Sequence, residues 1–228
     1  EDLSDTALQS DIQARGVGGT WSATFLVRVP YDPKGDGILD GYTIGIYPNP
    51  DLDSAPAPVR AHPEAYAPPK SLIPVTPETA GLRVSPHFRL GDFSPRSELG
   101  KRHFIALDAR LPAFLEGLSA KLDSASLNGN AIRILQAYVS PYQRQVLARE
   151  GVPLVEFTRY QYGDSATIIV DADGNGVMDD LNGDGAMDVK DADRLAELMD
   201  AVQQELKIYG GIGTYARFEG VKGPETSC

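Results

Sequence analysis

The stretch DADGNGVMDDLNGDGAMDVKDAD, residues 171–193, interleaves Asp and Asn with Gly in a chain of 228 residues. Oxygen-bearing side chains at alternate positions, with Gly at the sharp turn, suit a loop that wraps a hard divalent cation. Such a loop takes ligands from positions 1, 3, 5 and 9, a backbone carbonyl from position 7, a Gly at 6 and a carboxylate at 12. Starting from Asp180, the EF-hand-like template runs through Asn182, Asp184, Gly185, the Ala186 carbonyl, Asp188 and Asp191. A weaker frame starts at Asp171 and runs through Asp173, Asn175, Gly176, the Val177 carbonyl and Asp179; its twelfth position is Asn182, already used by the other frame. Two carboxylates about 4 Å apart repel by about 1 kcal/mol in water, and by more when partly buried. Bound Ca²⁺ removes that cost, so one or two structural calcium ions are expected in 171–191. A third and weaker candidate, Asp32, Asp36 and Asp40 in DPKGDGILDG, has Lys34 where a ligand should stand and reads better as an ordinary Asp/Gly turn.

The formal net charge of −11 is local, since residues 164–200 contribute −9 of it. No Lys/Arg cluster forms the basic face that phosphate binding needs, which excludes nucleic acid as a partner. No run approaches the roughly 20 apolar residues of a membrane-spanning helix. The single Cys, Cys228, excludes an internal disulfide. His62, His87 and His103 are widely spaced and read as structural. There is no Ser, His and Asp arrangement, phosphate-binding Gly loop or CxxC pair.

These residues must be positioned by an α+β chain. TWSATFLVRV (20–29) and GYTIGIY (41–47) are rich in β-branched and aromatic residues and predict an N-terminal β-hairpin region over 1–50. Residues 51–83 are dense in Pro and predict an extended surface connector. In 103–125, Phe104, Leu107, Leu111, Leu115, Leu118 and Leu122 recur at helical spacing, with Pro112 marking a kink or a second helix start. Residues 131–139 predict a strand, 141–150 a short helix, 165–170 a buried strand leading into the acidic stretch, and 191–209 an amphipathic helix. GGIGTYARF predicts a turn and a final strand.

The order VSPHFRLGDF, helix, AYVSPY, TRYQYGDSATIIVD and GGIGTY, over about residues 84–215, resembles the zinc D-alanyl-D-alanine carboxypeptidase and murein endopeptidase family, whose fold is shared with the Hedgehog signalling domain. Within the acidic stretch, Asn at the third and Asp at the twelfth position resemble the calcium loops of dockerin modules, which work outside the cell. The resemblance implies a carboxypeptidase-like domain over 84–228 carrying the calcium loop as an insertion. It also implies where a zinc site would lie. Family enzymes carry Ser-x-His-x-x-Gly-x-Ala-x-Asp, whose His and Asp bind zinc, and a later His that completes the site. With Gly163 on the motif Gly, Thr158 takes the Ser, Tyr160 the His, Ser165 the Ala and Thr167 the Asp. The substrate-binding Ser-Gly-Tyr-Arg-x-Pro stretch falls on residues 136–141, where Tyr138 and Pro141 remain but Val139 replaces the Arg. No His follows His103.

A catalytic zinc needs three protein ligands and an open water position, so zinc hydrolysis is not expected here. The resemblance implies instead a calcium-stabilised, non-catalytic cleft lined by Tyr138, Val139, Tyr160 and Thr167, binding a cell-wall peptide or glycan or a surface protein. Extracellular calcium modules bind at about 10⁻⁴ to 10⁻³ M, above cytosolic calcium, so an extracytoplasmic location is expected. Two alternatives stand beside this reading: a peptidoglycan D,D-peptidase with displaced zinc ligands, and a structural or adhesive surface component.

Overall fold

The computed structural model describes residues 26–152 and 155–215 and the backbone of 225–227. The first six residues of the strand expected at 20–29, and Cys228, lie outside them. Among the described residues the chain is mixed α+β, with four α-helices and small antiparallel sheets.

The apolar run 165–170 forms strand β7 (Thr167–Val170), buried at all four positions. It pairs with β6 (Ile132–Gln136) on one side and with β9 (Glu225–Ser227) on the other, and β8 (Gly213–Tyr215) completes the order β6-β7-β9-β8. A strand buried on both faces needs no alternation, and Ile168, Ile169 and Val170 supply the continuous apolar run.

A second sheet departs from the expectation. β1 (Val29–Pro30) does not form a hairpin with residues 41–47. It pairs with β4 (Ser71–Val75), which pairs with β5 (His103–Ile105). The short hairpin of the region joins β2 (Ile38–Leu39) to β3 (Tyr42–Thr43), with Asp40 and Gly41 at φ 51° and 78°, the Asp-Gly signature of a two-residue turn. β4 therefore lies inside the Pro-rich stretch. Leu72, Ile73 and Val75 outweigh the local Pro content by burial, and Pro74 stands opposite Phe104 beyond the two residues paired with β1. There the sheet has one partner rather than two, so a missing N–H is tolerated. The same stretch forms α1 (Ala57–Ala61), which starts just after Pro56.

Helix α2 (Arg110–Ser124) starts later than its periodicity predicts, because His103–Ile105 is strand, and Pro112 sits in the first turn where its missing N–H costs little. Leu111, Leu115, Leu118 and Leu122 form its buried stripe. Helix α3 (Pro141–Arg149) opens on a capping box, with Ser140 Oγ accepting from Gln143 N at 3.1 Å and Gln143 Oε1 from Ser140 N at 3.0 Å. Helix α4 (Val189–Leu206) packs on α2, where a Cβ at Gly117 would lie 2.9 Å from both Val202 and Leu206. One hydrophobic cluster from Leu26 to Val202 joins both larger sheets, α2 and α4. The acidic stretch is the connection between β7 and α4.

Candidate metal centre and cleft

Residues 171–179 and 180–188 fold as two copies of one nine-residue loop. In each, the sixth-position Gly N–H donates to the first Asp: Gly176 to Asp171 Oδ2 at 2.9 Å, Gly185 to Asp180 Oδ2 at 2.8 Å. The fifth N–H donates to the third side chain, Asn175 to Asp173 at 3.0 Å and Asp184 to Asn182 at 2.8 Å. The seventh donates to the fifth, Val177 to Asn175 at 2.7 Å and Ala186 to Asp184 at 2.9 Å. Gly174, Gly176, Gly183 and Gly185 all take φ between 76° and 82°, which a residue with a Cβ adopts at a cost. This periodic left-handed turn sets the oxygens on alternate residues.

The two copies are not equal. In the first, ligand oxygens of Asp171, Asp173 and Asp179 lie within 4.8 Å of one another, an arrangement that could hold a metal ion. Asp171 has no side-chain exposure. Its Oδ2 accepts from Gly176 N and from Arg133 Nη1, while its Oδ1 is buried with no hydrogen-bond partner. Burial pushes the Asp171 carboxyl up, but Arg133, by hydrogen bond and charge, and the Gly176 N–H outweigh it and hold the group below the ordinary carboxylate value. The loop is tied to β7, since Val170 O accepts from Asp179 N at 2.8 Å and the buried Met178 sulfur accepts from Val170 N at 3.3 Å.

In the second copy, Asp191 is the third residue of α4 and fully buried, with its carboxylate accepting from Leu181 N (2.8 Å), Asn182 N (3.3 Å) and Asp188 N (2.9 Å). Asp188 caps the helix, accepting from Lys190 N at 2.8 Å. Lys190 Nζ reaches Asp184 at 3.1 Å and Asp188 at 3.7 Å, and holds the Asp184 carboxyl low. Among the described residues, the group of three ligands gathered at metal distance belongs to the first loop, the weaker match in sequence. Arg133 carries no sequence signal, standing 38 residues from the carboxylate it holds.

Asp32, Asp36 and Asp40 act as turn residues: Asp32 accepts from Lys34 N and Asp36 from Ile38 N, each at 2.9 Å, and Asp40 pairs with Arg102. His62 lies near Glu64, His87 hydrogen-bonds Glu116 at 2.6 Å, and His103 is buried with Nδ1 2.8 Å from Lys101 O. His103 thus belongs to a strand rather than to the start of a helix.

A cavity of about 640 Å³ opens between the start of α2, the turn at 159–162 and the segment 208–215. Of the four expected cleft residues, Tyr160 lines it. Tyr160 Oη lies 2.5 Å from Thr167 Oγ1, and Tyr160 O accepts from Val139 N at 3.2 Å, so the buried Thr167 and Val139 hold Tyr160 in place without lining the cavity themselves. Tyr138 points elsewhere: it is buried against Tyr47, their hydroxyls 3.0 Å apart, and burial raises both. Gly163 fixes this wall. At φ 75° its carbonyl accepts from Asp108 N at 2.9 Å, and an added Cβ would meet Ala106 backbone at 2.3 Å.

Sequence reasoning missed the charged lining. Arg159 binds Asp164 through Nε and Nη2 and Ala65 O through Nη1, and stacks on Tyr66 and Tyr162 at 4.9 and 4.7 Å. Arg110 binds Asp108 through Nε (3.0 Å) and Nη2 (2.8 Å). Burial raises the Asp108 carboxyl, yet the Arg110 bonds and charge bring it below its usual value. It also missed the Gly-rich turn as part of the lining, where Gly210, Gly211 and Gly213 stand.

Tyr and Thr hydroxyls satisfied by each other do not make a catalytic zinc site, which takes neutral His, carboxylate or thiolate. The first acidic loop, with hard oxygens only, suits a cation of the calcium or magnesium type. No helix among the described residues is long and apolar enough to cross a membrane. Comparison with family models, curated proteins and solved structures finds no match.

Proposed function

We propose that this chain is a calcium-binding, non-catalytic domain related to the zinc D-alanyl-D-alanine carboxypeptidases, working outside the cytoplasm and presenting a cleft to a cell-envelope or surface partner. The observation that carries this reading is the Tyr160–Thr167 hydroxyl pair, which joins Tyr160 on the cavity wall to Thr167 on the strand that runs directly into the first acidic loop. In the proposed relationship these two residues stand where the family holds zinc. A hydroxyl pair neither binds that ion nor lowers the pKa of a bound water, so the wall offers contact rather than hydrolysis.

Calcium supplies the order. Asp171, Asp173, Asn175, the Val177 carbonyl and Asp179 are all oxygen donors, the set that calcium takes at six to eight sites with waters completing the shell. Magnesium demands a tighter octahedron and keeps more of its water, which a loop of three carboxylates serves less well. Asp171 directly follows β7 and the second loop leads into α4, so an ion held here would tie the end of that strand to the start of that helix.

Metal analysis of the freshly purified protein, with a hydrolysis assay on a cross-linked muropeptide, tests the reading. Calcium at one or two equivalents, no stoichiometric zinc and no cleavage are expected. One equivalent of zinc together with cleavage would overturn it in favour of a peptidase with displaced ligands.

A further inference from the structure

The charges around the cavity are paired among themselves. Arg159 is neutralised by Asp164, and Arg110 by Asp108 two residues before it. A site for a peptide carboxylate would leave a cation unspent, as a buried or half-buried charge is best satisfied by the ligand's own. Here that cation is already satisfied. The remaining capacity is neutral and directional: Arg159 commits three of its five N–H groups, and Asp164 keeps lone pairs beyond the two contacts from Arg159.

The apolar part of the lining includes open aromatic side chains. Tyr209 is 66% and Tyr215 47% exposed, and both line the cavity together with Tyr66 and Tyr160. Large exposed aromatics at a concave site mark a binding surface, and Tyr offers a flat apolar face with a polar tip. A volume of about 640 Å³ lies within the usual range of small-molecule sites. We propose that the cavity binds a neutral oligosaccharide. Its pyranose C–H faces would pack on Tyr209 and Tyr215, and its hydroxyls would bridge the Arg159–Asp164 pair, each hydroxyl both donating and accepting. This inference rests on the non-catalytic cleft reading and narrows its ligand to the uncharged sugars.

The test titrates the calcium-loaded chain with cellotriose, chitotriose and N-acetyl-D-alanyl-D-alanine by calorimetry and ligand-observed NMR, with chromatography of each mixture. Saturable binding of at least one trisaccharide is expected, weakened about fivefold or more by Tyr209→Ala or Tyr215→Ala. Both residues are exposed, so the variants should keep the parent melting temperature, which separates lost stacking from lost fold. Binding of the dipeptide alone would overturn the sugar assignment and leave the cleft reading standing. Binding of no probe, or trisaccharide binding unchanged in both variants, would also overturn the assignment. Cleavage of any probe would overturn the non-catalytic reading on which it rests.

Discussion

Asp171 serves two neighbours at once, with one oxygen held by Arg133 and Gly176 and the other buried and free to accept. A buried acceptor without a donor costs about 1–3 kcal/mol, and a cation supplies what it lacks. Asp171→Asn keeps the shape and removes the charge, so calcium affinity should fall about tenfold or more, measured by calorimetric titration. His103 makes a different prediction. Its Nδ1 meets Lys101 O, which can only accept, so the proton sits there and the buried Nε2 is bare. Burial lowers its pKa, opposed by the Lys101 carbonyl and by the charge of Glu98. The neutral form is favoured by folding, so this contribution is full above the ordinary histidine value of about 6.5 and is lost as pH falls through it. The melting temperature should drop on acidification from about pH 7, and less steeply in His103→Gln. At this scale the loop oxygens were legible because their spacing is local. Arg133, and the choice of the first loop over the second, were not, because both depend on which strand lies alongside.

Elements were legible where the chain's own periodicity decides them and illegible where a distant partner does. Strand β7, helix α3 and helix α4 follow their patterns, with Ser140 and Asp188 at the caps. Strand β4 contradicts its own Pro content because Leu72, Ile73 and Val75 find a core between β1 and β5. Within the described part of the hairpin expected from 20–29 and 41–47, Val29 pairs elsewhere for the same reason, its partner lying 43 residues away at Leu72. Gly163 shows how strictly two elements can fix one residue. It carries φ 75° and presses on the backbone of Ala106, so Gly163→Ala should destabilise by more than about 2 kcal/mol, read from chemical denaturation with an unchanged slope. The same variant should perturb the cavity wall, because Asp108, the partner of Arg110, is hydrogen-bonded to Gly163 O.

Over the whole molecule, one core spans both larger sheets and the α2–α4 pair, and the acidic stretch is the surface link between β7 and α4. Its share of the net charge, −6 of −11, makes it the place where cation and fold are coupled. A ligand that binds only the folded state stabilises it by RT ln(1 + [L]/Kd), about 2.7 kcal/mol at a hundredfold excess over Kd. For a chain of this length that corresponds to a rise of roughly 5–10 °C in melting temperature. The most direct measurement is therefore the melting temperature as calcium is added and then removed with EDTA. The account predicts a rise that saturates with calcium and reverses on chelation, smaller with magnesium and much reduced in Asp171→Asn. A melting curve indifferent to calcium and to EDTA would contradict it.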